Sequence, residues 1–184
     1  GQDNGQATLE MLDRANLFIV PLDEQRRWYR YHHLFADLLR QRLRQTEPET
    51  IASLHTQASS WFEQNDFFDE AIDQALLAED FQRAARLITR VADDIWERGQ
   101  DYKLRRWLER LPSQLVYNNP RFCVYLAWSL LTDGELGEAQ KALQAAEGAP
   151  ESDLNNAAEK TLQQQALRGR IATTRAFAAF YRGD

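Results

Sequence analysis

The sequence predicts an all-α fold, a right-handed solenoid of helix pairs preceded by a small unit with one short β-hairpin. Three observations predict it. The 184 residues include only 8 Gly and 5 Pro, so sharp turns are few and long helical elements are favoured. Apolar residues recur at helical spacing from about residue 50 onward. Large and small apolar positions also return at close to 34 residues, the period of a helix–turn–helix repeat.

The first 45 residues follow a different pattern. Residues 1–7 are polar and expected to fray. Residues 8–15 read as a short helix, with Thr8 as its N-cap and Leu9 and Leu12 on one face. The period then shortens to that of a strand. Residues 17–22 (Leu-Phe-Ile-Val-Pro-Leu) and 28–32 (Trp-Tyr-Arg-Tyr-His) are β-prone runs around the polar turn 23–27, which reads as a hairpin. Residues 34–43 return to helix, with Leu34, Phe35, Leu38, Leu39 and Leu43 at helical spacing.

Helices are expected at 49–64, 67–79, 81–98, 101–111, 120–132, 136–147, 154–168 and 169–182. The breaks fall at turn chemistry: Asn65-Asp66, Glu79-Asp80, Gly99, Pro112, Asp133-Gly134 and Gly148 to Pro150. Laid on the tetratricopeptide pattern, small residues at positions 8 and 20 let the two helices of a pair approach closely. The first unit places Ala58, Ser59 and Phe62 opposite Ala71, Ala75 and Ala78. The second places Ile88, Val91, Ala92 and Ile95 opposite Leu104, Leu108 and Leu111. The third places Cys123, Leu126, Ala127 and Leu130 opposite Ala139, Leu143 and Ala146. A fourth first helix, 169–182, carries Thr173, Ala176, Phe177 and Phe180 in register, after an inserted segment 150–168. Leu104 is large where Ala is usual, a departure from the strict tetratricopeptide pattern.

Net charge is −6 and uneven. Residues 1–45 hold seven Arg against six acids, and residues 46–184 hold 15 basic and 22 acidic side chains. An acidic body of this kind is no footprint for a phosphate backbone, so no direct nucleic-acid binding is expected. The single cysteine, Cys123, excludes an internal disulfide framework and fits a reducing cytosol, hence a cytoplasmic location. No apolar run is long enough to cross a membrane. Both ends read as cuts in a longer chain.

Residues 16–43 read Asn-Leu-Phe-Ile-Val-Pro-Leu-Asp-Glu-Gln-Arg-Arg-Trp-Tyr-Arg-Tyr-His-His-Leu-Phe-Ala-Asp-Leu-Leu-Arg-Gln-Arg-Leu. This resembles a segment of the MalT-like transcriptional activators, large ATP-dependent regulators with a LuxR-type C-terminal DNA-binding domain. The resemblance continues at His55, Ala58, Trp61-Phe62, Ala71-Ile72, Ala75, Ala78 and Ala84-Ala85, and is looser beyond about residue 90. It implies that residues 1–44 are the C-terminal part of a winged-helix domain and that residues 45–184 begin an effector- or partner-binding repeat domain. It also implies ATP binding upstream, an inducer bound to the repeats, and self-association of the activator. The sequence has neither a GxxxxGK[ST] loop nor a basic recognition helix. No cofactor is therefore expected in these residues.

Candidate sites are few. His32, His33 and His55 lack metal-ligand spacing, and neighbouring histidines in a strand would point to opposite faces, so packing is the expected role. Cys123 falls at a core position with no base near it in the pattern. The arginines at 26, 27, 30, 40, 42 and 44 read as a solvated or domain-docking face. The pairs Glu63 with Asp66 and Asp93 with Asp94 read as helix-surface and capping charges. Trp61, Trp96 and Trp107 read as packing. Trp128 differs, because the repeat register puts it at position 9, facing the concave groove. Arg121, Thr132 and Tyr181 should share that face. An aromatic platform beside an Arg and a hydroxyl can hold a small polar molecule. No catalytic constellation is found, and an enzyme is not expected.

Two readings follow. One is an inducer-sensing regulatory module. The other is a protein-interaction scaffold receiving a helix or peptide in its groove. Phe177 and Phe180 on the last helix are expected to be open and to pair with another copy of the chain, forming a homo-oligomer.

Overall fold

A computed structural model describes residues 3–15, 17–148 and 157–182. Side chains are described from Gly5 onward, except those of residues 157–164 and 181–182. The fold is all-α with one small hairpin, ten helices and two strands among the described residues. The chain divides into two compact units, residues 1–53 and 54–184. The division expected at 44/45 lies inside a helix of the first unit, and the observed one lies within α3 (Pro48–Gln64).

The first unit begins with α1 (Asp3–Arg14). Helix starts earlier than expected, so Thr8 is a mid-helix residue and not a cap. The hairpin is present: β1 (Ile19–Pro21) pairs antiparallel with β2 (Tyr29–Tyr31), Val20 opposite Arg30. Its loop is closed by Asp23, whose carboxylate accepts from the backbone N–H groups of Arg27 and Trp28, both at 2.9 Å. The strand ends at Tyr31 and α2 (His33–Thr46) begins at once. This corrects the expected placement of the histidine pair. His32 and His33 straddle a strand-to-helix change, and their rings lie 4.4 Å apart. Phe35 stacks on Phe18 at 4.7 Å, tying α2 to the hairpin.

The second unit is a succession of helix pairs. It comprises the rest of α3, α4 (Phe68–Leu77), α5 (Phe81–Glu97), α6 (Asp101–Leu108), α7 (Ser113–Tyr117), α8 (Pro120–Thr132), α9 (Leu136–Gly148) and α10 (Ala157–Arg182). The boundaries have local causes. The Asp80 carboxylate caps α5 by accepting from Arg83 N–H at 3.1 Å. The Asn119 side chain caps α8 by accepting from Arg121 N–H at 3.0 Å, with Pro120 in the first turn. Gly134, at φ 80°, makes the left-handed turn between α8 and α9 that a side chain would strain.

The core follows the repeat register. Ala71, Ala75, Ile88, Ala92, Leu104, Leu108, Ala127, Ala139 and Leu143 are all buried. At the close approach of α3 and α4, the buried Ser59 hydroxyl donates to Ala71 C=O at 2.7 Å. These are positions 8 and 20 of the first unit. Polar contacts repeat with the same period. Asp69 pairs with Lys103 at 2.5 Å, and Asp73 accepts from the indole of buried Trp107 at 3.2 Å, each spanning 34 residues. Such contacts join one repeat to the next.

Two expectations are corrected. Residues 113–117 form the short helix α7, where only a break at Pro112 was expected; Pro112 itself sits at the N-cap position. Residues 157–182 form one helix of 26 residues, where a junction was expected at 168/169. Gly169 lies in open space within α10, and a lone glycine costs a helix only about 1 kcal/mol. Leu167, Ile171 and Ala178 pack against the third helix pair, and Thr174 is buried there. Phe177, 44% exposed, meets Trp128 of α8 with ring centroids 5.0 Å apart, and Phe180 is 76% exposed.

Candidate functional site

Three helices of the second unit converge on the carboxylate of Asp93, which lies on α5 one helical turn before Trp96. Tyr125 of α8 donates its hydroxyl to Asp93 Oδ1 at 2.6 Å. Arg170 of α10 donates Nη1–H to the same oxygen at 2.5 Å and to the Tyr125 oxygen at 3.0 Å. Arg121, in the first turn of α8, pairs with Oδ2. Burial pushes the Asp93 carboxyl upward, but the hydrogen bonds from Tyr125 and Arg170 and the two guanidinium charges outweigh it. The carboxyl is held below the usual carboxylate range. Burial and the Asp93 hydrogen bond together raise the Tyr125 phenol, so it stays protonated and a donor.

An aromatic run lies beside this cluster. Trp96 meets Tyr125 at 5.1 Å and Trp128 at 5.5 Å, and Trp128 meets Phe177 at 5.0 Å. The last two contacts are edge-on, the geometry the ring quadrupoles favour. Trp96 and Trp128, with the start of α6 and residues of α10, frame a cleft of about 520 Å³. Trp96, Asp101, Trp128, Arg170, Thr173 and Thr174 line it. Its volume lies within the range of small-molecule sites. A second hollow, of about 360 Å³, lies between α9 and α10, where Arg175 pairs with Glu147 at 2.7 Å.

The expected site residues part company. Trp128 lines the cleft. Arg121 is one neighbour away, with its charge committed to Asp93. Thr132 is not in the cleft; its hydroxyl donates to Ser129 C=O at 2.7 Å within α8, and the residue is exposed. The side chain of Tyr181 lies outside the described residues. Asp93, Tyr125, Arg170, Trp96 and Asp101 were not singled out as a site by the sequence. Asp93 read as a helix-surface charge, and it is the acceptor on which α8 and α10 meet. One signal could have found it: Asp93 occupies position 9 of the second unit, as Trp128 does of the third.

The other candidates have structural partners. Cys123 is buried and its thiol donates to backbone carbonyls; burial pushes its pKa up to about 11. His55 shares a hydrogen bond of 2.6 Å with Gln74. Glu63 pairs with Arg83, which also donates to Ser59 at 2.9 Å. Among the described residues, no group of three or more His, Cys, Asp or Glu is placed to hold a metal ion, and no helix is long and apolar enough to cross a membrane.

Residues 1–51 match the family described as the MalT winged helix domain, and a succession of helix pairs follows. Over 129 residues the chain is also 33% identical to the serine/threonine-protein kinase PknK of Mycobacterium tuberculosis strain H37Rv, and equally to PknK of Mycobacterium bovis. That alignment covers 70% of this chain and 12% of each relative. No solved structure matches the chain.

Proposed function

We propose that this chain is a non-catalytic regulatory module of a cytoplasmic, LuxR-class transcriptional regulator, with tetratricopeptide-like repeats that bind a small-molecule inducer. The winged-helix match over residues 1–51 supports the regulatory class. The single observation that carries the sensing role is the cleft at which α5, α8 and α10 meet. A ligand there touches Trp96, Trp128 and Arg170 on three helices at once, so occupancy bears directly on how successive repeats pack. ATP belongs to a domain outside these residues, and the chain itself uses no cofactor.

The experiment is a thermal-shift and calorimetric screen of the 184-residue chain against small metabolites, with Trp128→Ala as control. Metabolite binding that weakens in the variant supports sensing. Binding of helical peptides or partner proteins, with every metabolite silent, supports the scaffold reading instead. Light scattering with and without the bound metabolite tests self-association; a single monomeric mass in both states removes it.

A further inference from the structure

The cleft carries uncommitted charge of both signs. Both oxygens of Asp93 are taken, Oδ1 by Tyr125 and Arg170 and Oδ2 by Arg121. Arg170 spends only Nη1 on that network. A guanidinium has five N–H donors, so Nε and Nη2 remain for a ligand. On the α6 side of the cleft, Asp101 is half-buried and has no hydrogen-bond or ion-pair partner among the described residues. The Thr173 hydroxyl donates to Gly169 C=O at 3.0 Å, which leaves its oxygen as an acceptor. Trp96 and Trp128 supply aromatic surface in the same cleft.

Resting on the reading of this cleft as the effector site, we propose that it takes a zwitterionic ligand of the amino-acid class. The carboxylate sits at Arg170, the ammonium at Asp101 and Thr173, and the apolar body lies against Trp96 and Trp128. A simple anion would be attracted to Arg170 and repelled by Asp101. A simple amine would face the reverse. A neutral polyol would leave two partly buried charges without counter-charge. Only a ligand with both signs meets both walls, and that difference is the source of its selection.

The test is calorimetry on the 184-residue chain with four probes: L-phenylalanine, phenethylamine, 3-phenylpropionate and glucose. L-phenylalanine is expected to bind at least about tenfold more tightly than the amine or the acid alone, because each lost charge-assisted contact costs about that factor. Asp101→Asn should weaken L-phenylalanine about tenfold or more and leave its temperature of unfolding unchanged. Arg170→Lys, which keeps the charge on α10, should weaken L-phenylalanine less than Arg170→Gln does. Equal affinity for phenethylamine and L-phenylalanine would overturn the proposal. Glucose binding with the zwitterion silent would also overturn it while leaving the effector site standing. Silence of all four probes overturns it too, and the wider metabolite screen then decides whether the cleft senses anything.

Discussion

Arg170 of α10 donates to the carboxylate of Asp93 on α5 at 2.5 Å, joining residues 77 apart in sequence. Tyr125 and Arg121 of α8 bind the same carboxylate, so one side chain ties three helices. A half-exposed carboxylate in such a network contributes less than a buried one, because water screens it.

Asp93→Asn is therefore expected to destabilise the chain by only about 1 kcal/mol at pH 7 in urea unfolding. The carboxyl is held below its unfolded value, so its contribution is complete above about pH 4 and is lost as pH falls through the folded-state pKa. The gap between wild type and Asp93→Asn should close on acidification. A gap that stays constant from neutral pH to pH 2 would show that the charge on Asp93 does not matter.

Leu104 stands where a strict tetratricopeptide unit has a small residue, and it is buried. Leu104→Ala moves the sequence toward that pattern. It should nevertheless cost about 2–5 kcal/mol, since the neighbours are already packed around the larger side chain and a cavity results. Urea midpoints measure this; a neutral or stabilising change would mean that the helices close on the gap.

Ser59→Ala keeps a small residue at the approach of α3 and α4 but deletes a donor to Ala71 C=O and an acceptor for Arg83. The expected loss is about 1–2 kcal/mol. Small size alone would predict no effect, so a thermal melt separates the two accounts.

Cys123, with its pKa pushed to about 11, is about one part in a thousand thiolate at pH 8. Native protein should resist iodoacetamide at that pH and label fully once unfolded in guanidinium. Prompt labelling of the folded chain would show that the thiol is accessible.

Much of the fold is legible in residue order. The two β-prone runs around the polar turn 23–27 predict the hairpin, and the Ala71, Leu104 and Ala139 positions predict the buried seams of the repeat. Both rest on local periodicity, which a single chain displays directly. The helix at 113–117 was missed because five residues are too few for a period to emerge. The junction at 168/169 came from starting a fourth repeat unit at 169, while packing of Leu167 and Ile171 carries one helix through that point.

The site was legible only in part. Trp128 could be placed by register, since position 9 faces inward in any unit of this repeat. Arg121, Thr132 and Tyr181 were assigned by the same face argument, and that argument stops at the edge of one helix. It ignores what the neighbouring helix offers, so it brought Thr132 to a face where its hydroxyl is spent on its own backbone.

The sequence by itself determined the short hairpin, the helix period and the small residues that let helices approach. These follow from side-chain size and polarity read in order. Only the tertiary structure decided that Asp93, Tyr125 and Arg170 meet and that Trp96, Trp128 and Asp101 frame a cleft beside them. The reason is that an ion pair or a cleft wall depends on the axial offset and rotation of one helix against another. A charge on a helix face reads the same in sequence whether water or a guanidinium from another repeat lies opposite it.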